Sequence, residues 1–175
     1  MNNIVVYHAS YTKVENIDLS YSKPNKDFGV GFYVTTDYSQ AKRFAKLIAK
    51  RNNINKQYIN SYILSDLNDL EITKFKNANV EWLKCVASFR NNQMTDYTMS
   101  LSKKDVIIGK VADDDTSLVL NAYIKGAYGD LNDKKAIEAV IQRLMVNKLT
   151  DQICFKSKKS LNKLKYIDCE IIENA

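Results

Sequence analysis

A short strand that runs almost directly into an amphipathic helix constrains this chain more than any other feature. Gly31 to Thr36 reads Gly-Phe-Tyr-Val-Thr-Thr. Strand alternation puts Phe32 and Tyr33 on opposite faces, one toward a core and the other toward a surface or cleft. Ala41, Phe44, Ala45, Ile48 and Ala49 then recur at i, i+3, i+4, i+7 and i+8, one face of a helix. Asp37, with Gln40 three residues on, fits a capping box at its start. With so little chain between them, strand and helix keep Tyr33 close to the helix N-terminus.

The remaining segments alternate in type. Ile4 to His8 reads as a buried strand ending in the only histidine. Residues 9 to 29 are polar, contain Pro24 and show no period, which predicts a long loop, functional or mobile at that length. Tyr58 to Leu64 and Leu70 to Phe75 read as strands of a hairpin across Ser65 to Asp69. Asn79 is placed to cap a helix carrying Trp82, Leu83, Val86 and Phe89 and ending near Arg90. Asp105 to Ala112 is strand-like, and Asp113-Asp114-Asp115 then caps a helix with Leu118, Val119, Ala122 and Tyr123. A helix after Asn132 presents Ala136, Ile137, Val140, Ile141, Leu144 and Met145. Gln152 to Phe155 is a short strand, Ser157 to Leu164 a helical turn or two, and Tyr166 to Ile172 a closing strand. At 175 residues, without repeats or a low-complexity linker, the chain is expected to be one α+β domain spanning 1–175.

Composition excludes several classes. Hydrophobic residues are 45% and charged residues 26%, which argues against wholesale disorder. No apolar run approaches the roughly 18 residues of a membrane span. The opening Met-Asn-Asn-Ile-Val-Val-Tyr-His has no basic region followed by an apolar stretch, so no secretory signal is expected. Three cysteines, Cys85, Cys154 and Cys169, lack metal-ligand spacing, and their odd number argues against a disulfide framework. A cytoplasmic location without a metal is the expectation. Net charge is +6, which favours anionic partners, nucleotide or nucleic acid among them, and serves equally as a solvated basic surface.

Familiar catalytic constellations are missing. One histidine rules out His-rich metal sites, and the five glycines fit neither common phosphate-binding loop. What stands out is His8 at a strand end, together with Lys26-Asp27-Phe28-Gly29-Val30-Gly31-Phe32-Tyr33. Glycines on both sides of Val30 permit positive φ or close backbone approach. Taken singly, His8 and Tyr33 are more often packed residues than ligand contacts.

Taken together, the segments resemble the His-Tyr-Glu branch of the ADP-ribosyltransferase superfamily, which contains the poly-ADP-ribose polymerases and diphtheria-type toxins. Its first motif, a strand ending His-Gly-Thr/Ser, is matched by Tyr7-His8-Ala9-Ser10. Its second, Gly-x-Tyr followed by polar residues and a helix starting Ser-x-Ala, is matched by Gly31-Phe32-Tyr33 and Ser39-Gln40-Ala41. Phe44, eleven residues after Tyr33, takes the place of a second aromatic. The whole chain is more similar still to a bacterial family of this fold with no assigned function. That family's Lys-Asp-Phe-Gly-x-Gly-Phe-Tyr, Val-Ala-Asp-Asp and late Gln-Ile/Phe-x-Phe are matched at Lys26 to Tyr33, Val111 to Asp114 and Gln152 to Phe155.

The resemblance implies a mixed, mostly antiparallel split β-sheet core with flanking helices, and NAD as co-substrate. It makes His8 a hydrogen-bonding partner of the nicotinamide ribose, Ala9 and Ser10 backbone contacts, and Tyr33 and Phe44 the walls of a nicotinamide slot. Gly31 belongs to the same cofactor-binding set. Lys26 and Arg43 are candidates for the pyrophosphate, equally readable as a loop lysine and an exposed helix arginine. Gln152 falls at the third position, where the branch is best known for glutamate. An amide offers a dipole but no base. The glutamate is commonly replaced among mono-transferases of this branch, so the resemblance implies mono-modification or a weak enzyme rather than polymer synthesis. Gln152→Glu is expected to retain NAD cleavage. Asp113 and Asp151 are candidates to assist the acceptor. Family context implies a bacterial toxin or phage-defence effector with a cognate antitoxin. The acceptor stays open among protein, nucleic acid and small molecule. An NAD glycohydrolase and a catalytically silent NAD- or ADP-ribose-binding module are the competing readings.

Overall fold

In the computed structural model, which describes residues 3–112, 114–144 and 150–173, the strands form two sheets. Ile4–Ser10 (β1), Lys56–Leu64 (β3) and Leu164–Glu173 (β7) make an antiparallel sheet with β3 in the middle. Phe32–Val34 (β2), Asp151–Phe155 (β6), Val106–Lys110 (β5) and Ile72–Lys74 (β4) make the second, in that order. Its pairs are antiparallel except β4 with β5. The two sheets touch where Tyr7 and Thr35 exchange backbone hydrogen bonds of 2.8 and 3.0 Å. This is an α+β fold with a mixed, mostly antiparallel, split sheet.

Side-chain alternation along the strands builds the layers. Val6, Tyr62 and Leu64 from the first sheet meet Phe32, Val34, Val106, Ile153 and Phe155 from the second, forming a core between them. On the outer face of the first sheet, helix α1 (Tyr38–Arg51) lays Ala41 and Ala45 against Ile59. Small side chains let that helix sit close. On the outer face of the second sheet, Ile107 and Cys154 are covered by three further helices. These are α2 (Val80–Arg90), α4 (Asp114–Ile124) and α5 (Lys134–Arg143), with Trp82, Leu83, Leu120, Tyr123 and Val140 at their centre.

The helix ends follow local chemistry. Asn79 caps α2 by accepting from the Trp82 N–H at 3.0 Å, as its position in the sequence predicts. Asp37 caps α1 through the Gln40 N–H, but the expected capping box does not close. The Gln40 side chain instead accepts from Thr35 Oγ1 at 2.7 Å, a buried bond tying the helix start to β2. A short helix that hydrophobic periodicity does not reveal, α3 (Asp96–Ser102), starts at a Thr95/Thr98 capping box and buries only Thr98 and Leu101. Lys158–Leu161 (α6) starts the same way at Ser157 and Ser160. On α4 the buried face is Thr116, Leu120 and Tyr123, whereas Leu118 points to solvent. The expected roles of Asp113 as a cap and Met145 as a core residue lie outside the described residues.

One pairing departs from the sequence reading. The strands expected to form a hairpin belong to different sheets: β3 pairs with β1 and β7, while β4 pairs parallel with β5. The link between them turns at Leu67 to Leu70, where Leu70 N–H bonds to the Leu67 carbonyl, but its ends go to different partners: Ser65 N–H bonds to the Lys163 carbonyl and Glu71 C=O accepts from Asp105 and Val106. Among the described residues, no helix is long and apolar enough to cross a membrane.

Candidate functional site

A cleft of about 710 Å³ opens where β1, β2, α1 and β6 come together. His8 and Ala9 from β1, Tyr33 from β2, Phe44 from α1 and Gln152 from β6 all line it, as do Lys26 and Arg43. Thus residues from both ends of the sequence share one cleft. Two of the expected contacts do not. Ser10 is buried at the end of β1, where its hydroxyl accepts from Thr12 N–H, and it lies outside the cleft lining. Gly31 is also outside: it is pressed against β6, where a Cβ would meet Cys154 Sγ at 2.3 Å and the Phe155 carbonyl at 2.9 Å. The two glycines around Val30 thus divide the work, Gly29 adopting φ of +73° and Gly31 allowing close approach.

His8 is held from two sides. Its ring lies 4.2 Å from that of Phe32, and Nδ1 is 2.7 Å from the Tyr33 carbonyl. A carbonyl can only accept, so Nδ1 carries the proton. Desolvation, with the positive charge of Lys26 adding to it, lowers the His8 pKa to about 4 against the opposing pull of that hydrogen bond. At neutral pH the imidazole is therefore uncharged and its Nε2 is an acceptor.

Tyr33 has a ring in the cleft and a hydroxyl in the loop. The hydroxyl donates to the Gly29 carbonyl at 2.6 Å and accepts from the Phe28 N–H at 3.1 Å. Burial raises its pKa well above the ordinary tyrosine value, so it stays protonated. Phe28 lies nearly parallel to the Tyr33 ring, with centroids 6.4 Å apart, and the Lys26 ammonium stands 5.1 Å from the Tyr33 centroid. Desolvation and the nearby Lys23 lower the Lys26 pKa. Phe44 is half-buried on α1, with Leu47 and Ile48 beside it, so the apolar helix face is shared between the sheet and the cleft.

At the far wall, Gln152 is buried and anchored by a carboxylate. Its Nε2 donates to Asp27 Oδ2 at 2.8 Å and, more weakly, to the Lys110 carbonyl at 3.4 Å. Asp27 Oδ1 accepts from Arg90, at 2.7 Å from Nε and 2.6 Å from the terminal nitrogen. Sequence reasoning missed both residues of this pair. Arg90 reads as a helix end, and Asp27 stands in the Lys26 to Tyr33 segment with no role of its own. The one signal was Asp27's place within that matched segment. Phe28 itself is fully buried and fills the space above Gly109, opposite Gln152 in the β5–β6 pair.

Asp151, a candidate helper of the acceptor, is instead paired with Lys110 at 3.1 Å, and alternation along β6 turns it away from Gln152. Asp113 lies outside the described residues. Asp27 is the only carboxylate among the described residues lining the cleft, against Lys23, Lys26, Arg43, Arg51 and Arg90. The three cysteines are free thiols, and no cluster of metal-ligating side chains occurs among the described residues.

Fold and site together define an α+β protein whose two sheets meet at a basic, aromatic-lined cleft. Residues 4–166 match the model of the DUF3990 family, described as a protein of unknown function, and the chain belongs to that family. It matches no curated protein and no solved structure.

Proposed function

We propose that this chain is an NAD-dependent mono-ADP-ribosyltransferase. It would break the bond between nicotinamide and ribose and pass ADP-ribose to an acceptor. The observation that carries the reading is the convergence of His8, Ala9, Tyr33, Phe44 and Gln152 from four separate elements on one basic cleft. Its volume suits a ligand of nucleotide size.

In this reading each group has a defined task. Neutral His8 accepts a ribose hydroxyl hydrogen at Nε2, its other nitrogen being fixed on the Tyr33 carbonyl. The backbone at Ala9 holds the nicotinamide carboxamide. Tyr33 and Phe44 flank the pyridinium ring, which as a cation takes the position that the Lys26 ammonium holds over Tyr33. Lys26 then joins Lys23 and Arg43 at the pyrophosphate. Gln152, its NH₂ end held by Asp27, presents Oε1 to the ribose hydroxyl and to the positive charge that develops on the sugar. The cleft needs no metal for these steps. Among the described residues the one carboxylate lining the cleft, Asp27, is tied to Arg90 and Gln152, so it is not assigned as the base that deprotonates the acceptor. The net charge of +6 favours a nucleic-acid acceptor over a protein or a small molecule. The family context of a cytoplasmic toxin or defence effector, with an antitoxin as partner, belongs to the same proposal.

The test is incubation with NAD labelled in its adenylate half, with and without cell extract, following free nicotinamide and the label. Nicotinamide release with label on a macromolecule or small molecule is the expected result. Release with label only on free ADP-ribose makes the protein a glycohydrolase, and binding without release makes it a silent module.

A further inference from the structure

We infer that Asp27 is the positioning residue of the site: it fixes the orientation of the Gln152 amide and sets a negative charge directly behind it. This rests on the transferase reading of the cleft and extends it to a residue that does not touch the substrate.

Asp27 is only 7% exposed, and both of its oxygens are fully engaged. Oδ1 takes two bonds from Arg90, while Oδ2 takes the Ala112 N–H at 3.1 Å and Gln152 Nε2 at 2.8 Å. Arg90 is itself held by Ser117 Oγ at 3.2 Å and the Ala112 carbonyl at 3.3 Å. The two ends of a glutamine amide have nearly the same shape, so packing alone cannot choose between them. A carboxylate chooses, because it only accepts, and the NH₂ end must turn to it. The Lys110 carbonyl, which also holds the Trp82 indole N–H at 2.9 Å, presents a second acceptor on the same side. The Oε1 end is the one left for a ligand. A buried ion pair is by itself a poor argument for stability. This one stands in the cleft wall and spends one of its four acceptor positions on the amide facing the ligand. The charge that a glutamate would carry at position 152 is thus present one hydrogen bond further back.

The arrangement reverses the sequence-based expectation that Gln152→Glu simply retains cleavage. A glutamate there would lie within hydrogen-bond reach of Asp27, and two carboxylates at that distance share one proton. Among the described residues, the groups facing them are Arg90 on α2 and, across the cleft, Lys26 and the uncharged His8, while Lys110 on β5 keeps its ammonium on Asp151, away from Gln152. All four are present in the wild type, so a difference profile isolates the new carboxyl.

The experiment measures nicotinamide release from NAD by wild type, Asp27→Asn, Gln152→Glu and the double variant, with folding checked by circular dichroism. Each single variant is expected to lose about 10²-fold in kcat at pH near 8, the scale of one lost preorganised contact, with KM for NAD little changed. The double variant restores one donor and one carboxylate in exchanged positions, and its kcat should exceed both singles by about tenfold or more. A double variant no more active than the better single overturns the inference, as a merely structural Asp27 would give. If the double variant does not fold, the pH profile of Gln152→Glu decides. A rate that climbs relative to wild type as pH falls from about 8 to about 6 supports the shared proton, and a parallel profile overturns it. Wild-type protein that releases no nicotinamide overturns the transferase reading and this inference together.

Discussion

The ring and the hydroxyl of Tyr33 do separate jobs, and substitution separates them. The ring lines the cleft, whereas the hydroxyl closes the loop before β2 through Gly29 and Phe28. Tyr33→Phe leaves an N–H and a carbonyl without their side-chain partner, which costs about 1–3 kcal/mol of stability. The sequence suggests a mild effect for this change, because stacking needs no hydroxyl; the hydroxyl contacts make it mild for turnover and not for folding. Tyr33→Ala removes both the ring and its bonds. Urea denaturation should show a lowered midpoint for both variants. Nicotinamide release per folded molecule should persist in Tyr33→Phe and vanish in Tyr33→Ala. Persistence in Tyr33→Ala would remove the ring from the chemistry.

At the scale of an element, β2 is only three residues long, and it holds its place by proximity to β6. Gly31 makes that proximity possible. A methyl group there would come within 2.3 Å of Cys154 Sγ and 2.9 Å of the Phe155 carbonyl. The thiol can be removed but the backbone cannot. Gly31→Ala is therefore expected to cost about 1–3 kcal/mol through overpacking. Adding Cys154→Ala should recover only part of that loss in thermal melts. Full recovery would mean that the strand backbone yields easily and the close approach is not needed. Elements differed in how far the sequence disclosed them. The α1 face and the Asn79 cap were legible because each depends on residues within one or two turns. The α3 helix was hidden because a Thr95/Thr98 box and a single buried leucine leave no hydrophobic period.

For the whole molecule, the junction of the two sheets carries a pH dependence. His8 belongs to β1, yet its ring rests on Phe32 and its proton on the Tyr33 carbonyl, both in β2. In the folded state its pKa is about 4, and in the unfolded chain it returns to the ordinary histidine value of about 6.5. Between those values the unfolded chain binds more protons, so stability rises with pH. The protein is free of this penalty above about pH 6.5, and loses up to about 3 kcal/mol as pH falls toward 4. A His8→Gln variant lacks that proton uptake. Its stability difference from wild type, measured by urea denaturation across the window, should narrow as pH falls. A difference that stays constant would place the acid sensitivity elsewhere.

By itself the sequence determined the local facts: which faces of the helices are apolar, that Phe32 and Tyr33 point opposite ways, and that the chain alternates strands and helices as an α+β fold. It also singled out His8, Tyr33, Phe44 and Gln152, because those residue types stood at spacings that resemble a known site. Strand partnership was decided only by tertiary structure, since a β-rich run carries no label for its neighbour. The β-like run Leu70 to Phe75, which holds strand Ile72–Lys74, serves a hairpin or a parallel pair equally well, and the pairing with β5 settles it. The Asp27–Arg90–Gln152 network was decided there too. Its members are separated by 63 and 62 residues along the chain, and a buried ion pair arises from which surfaces the fold brings together.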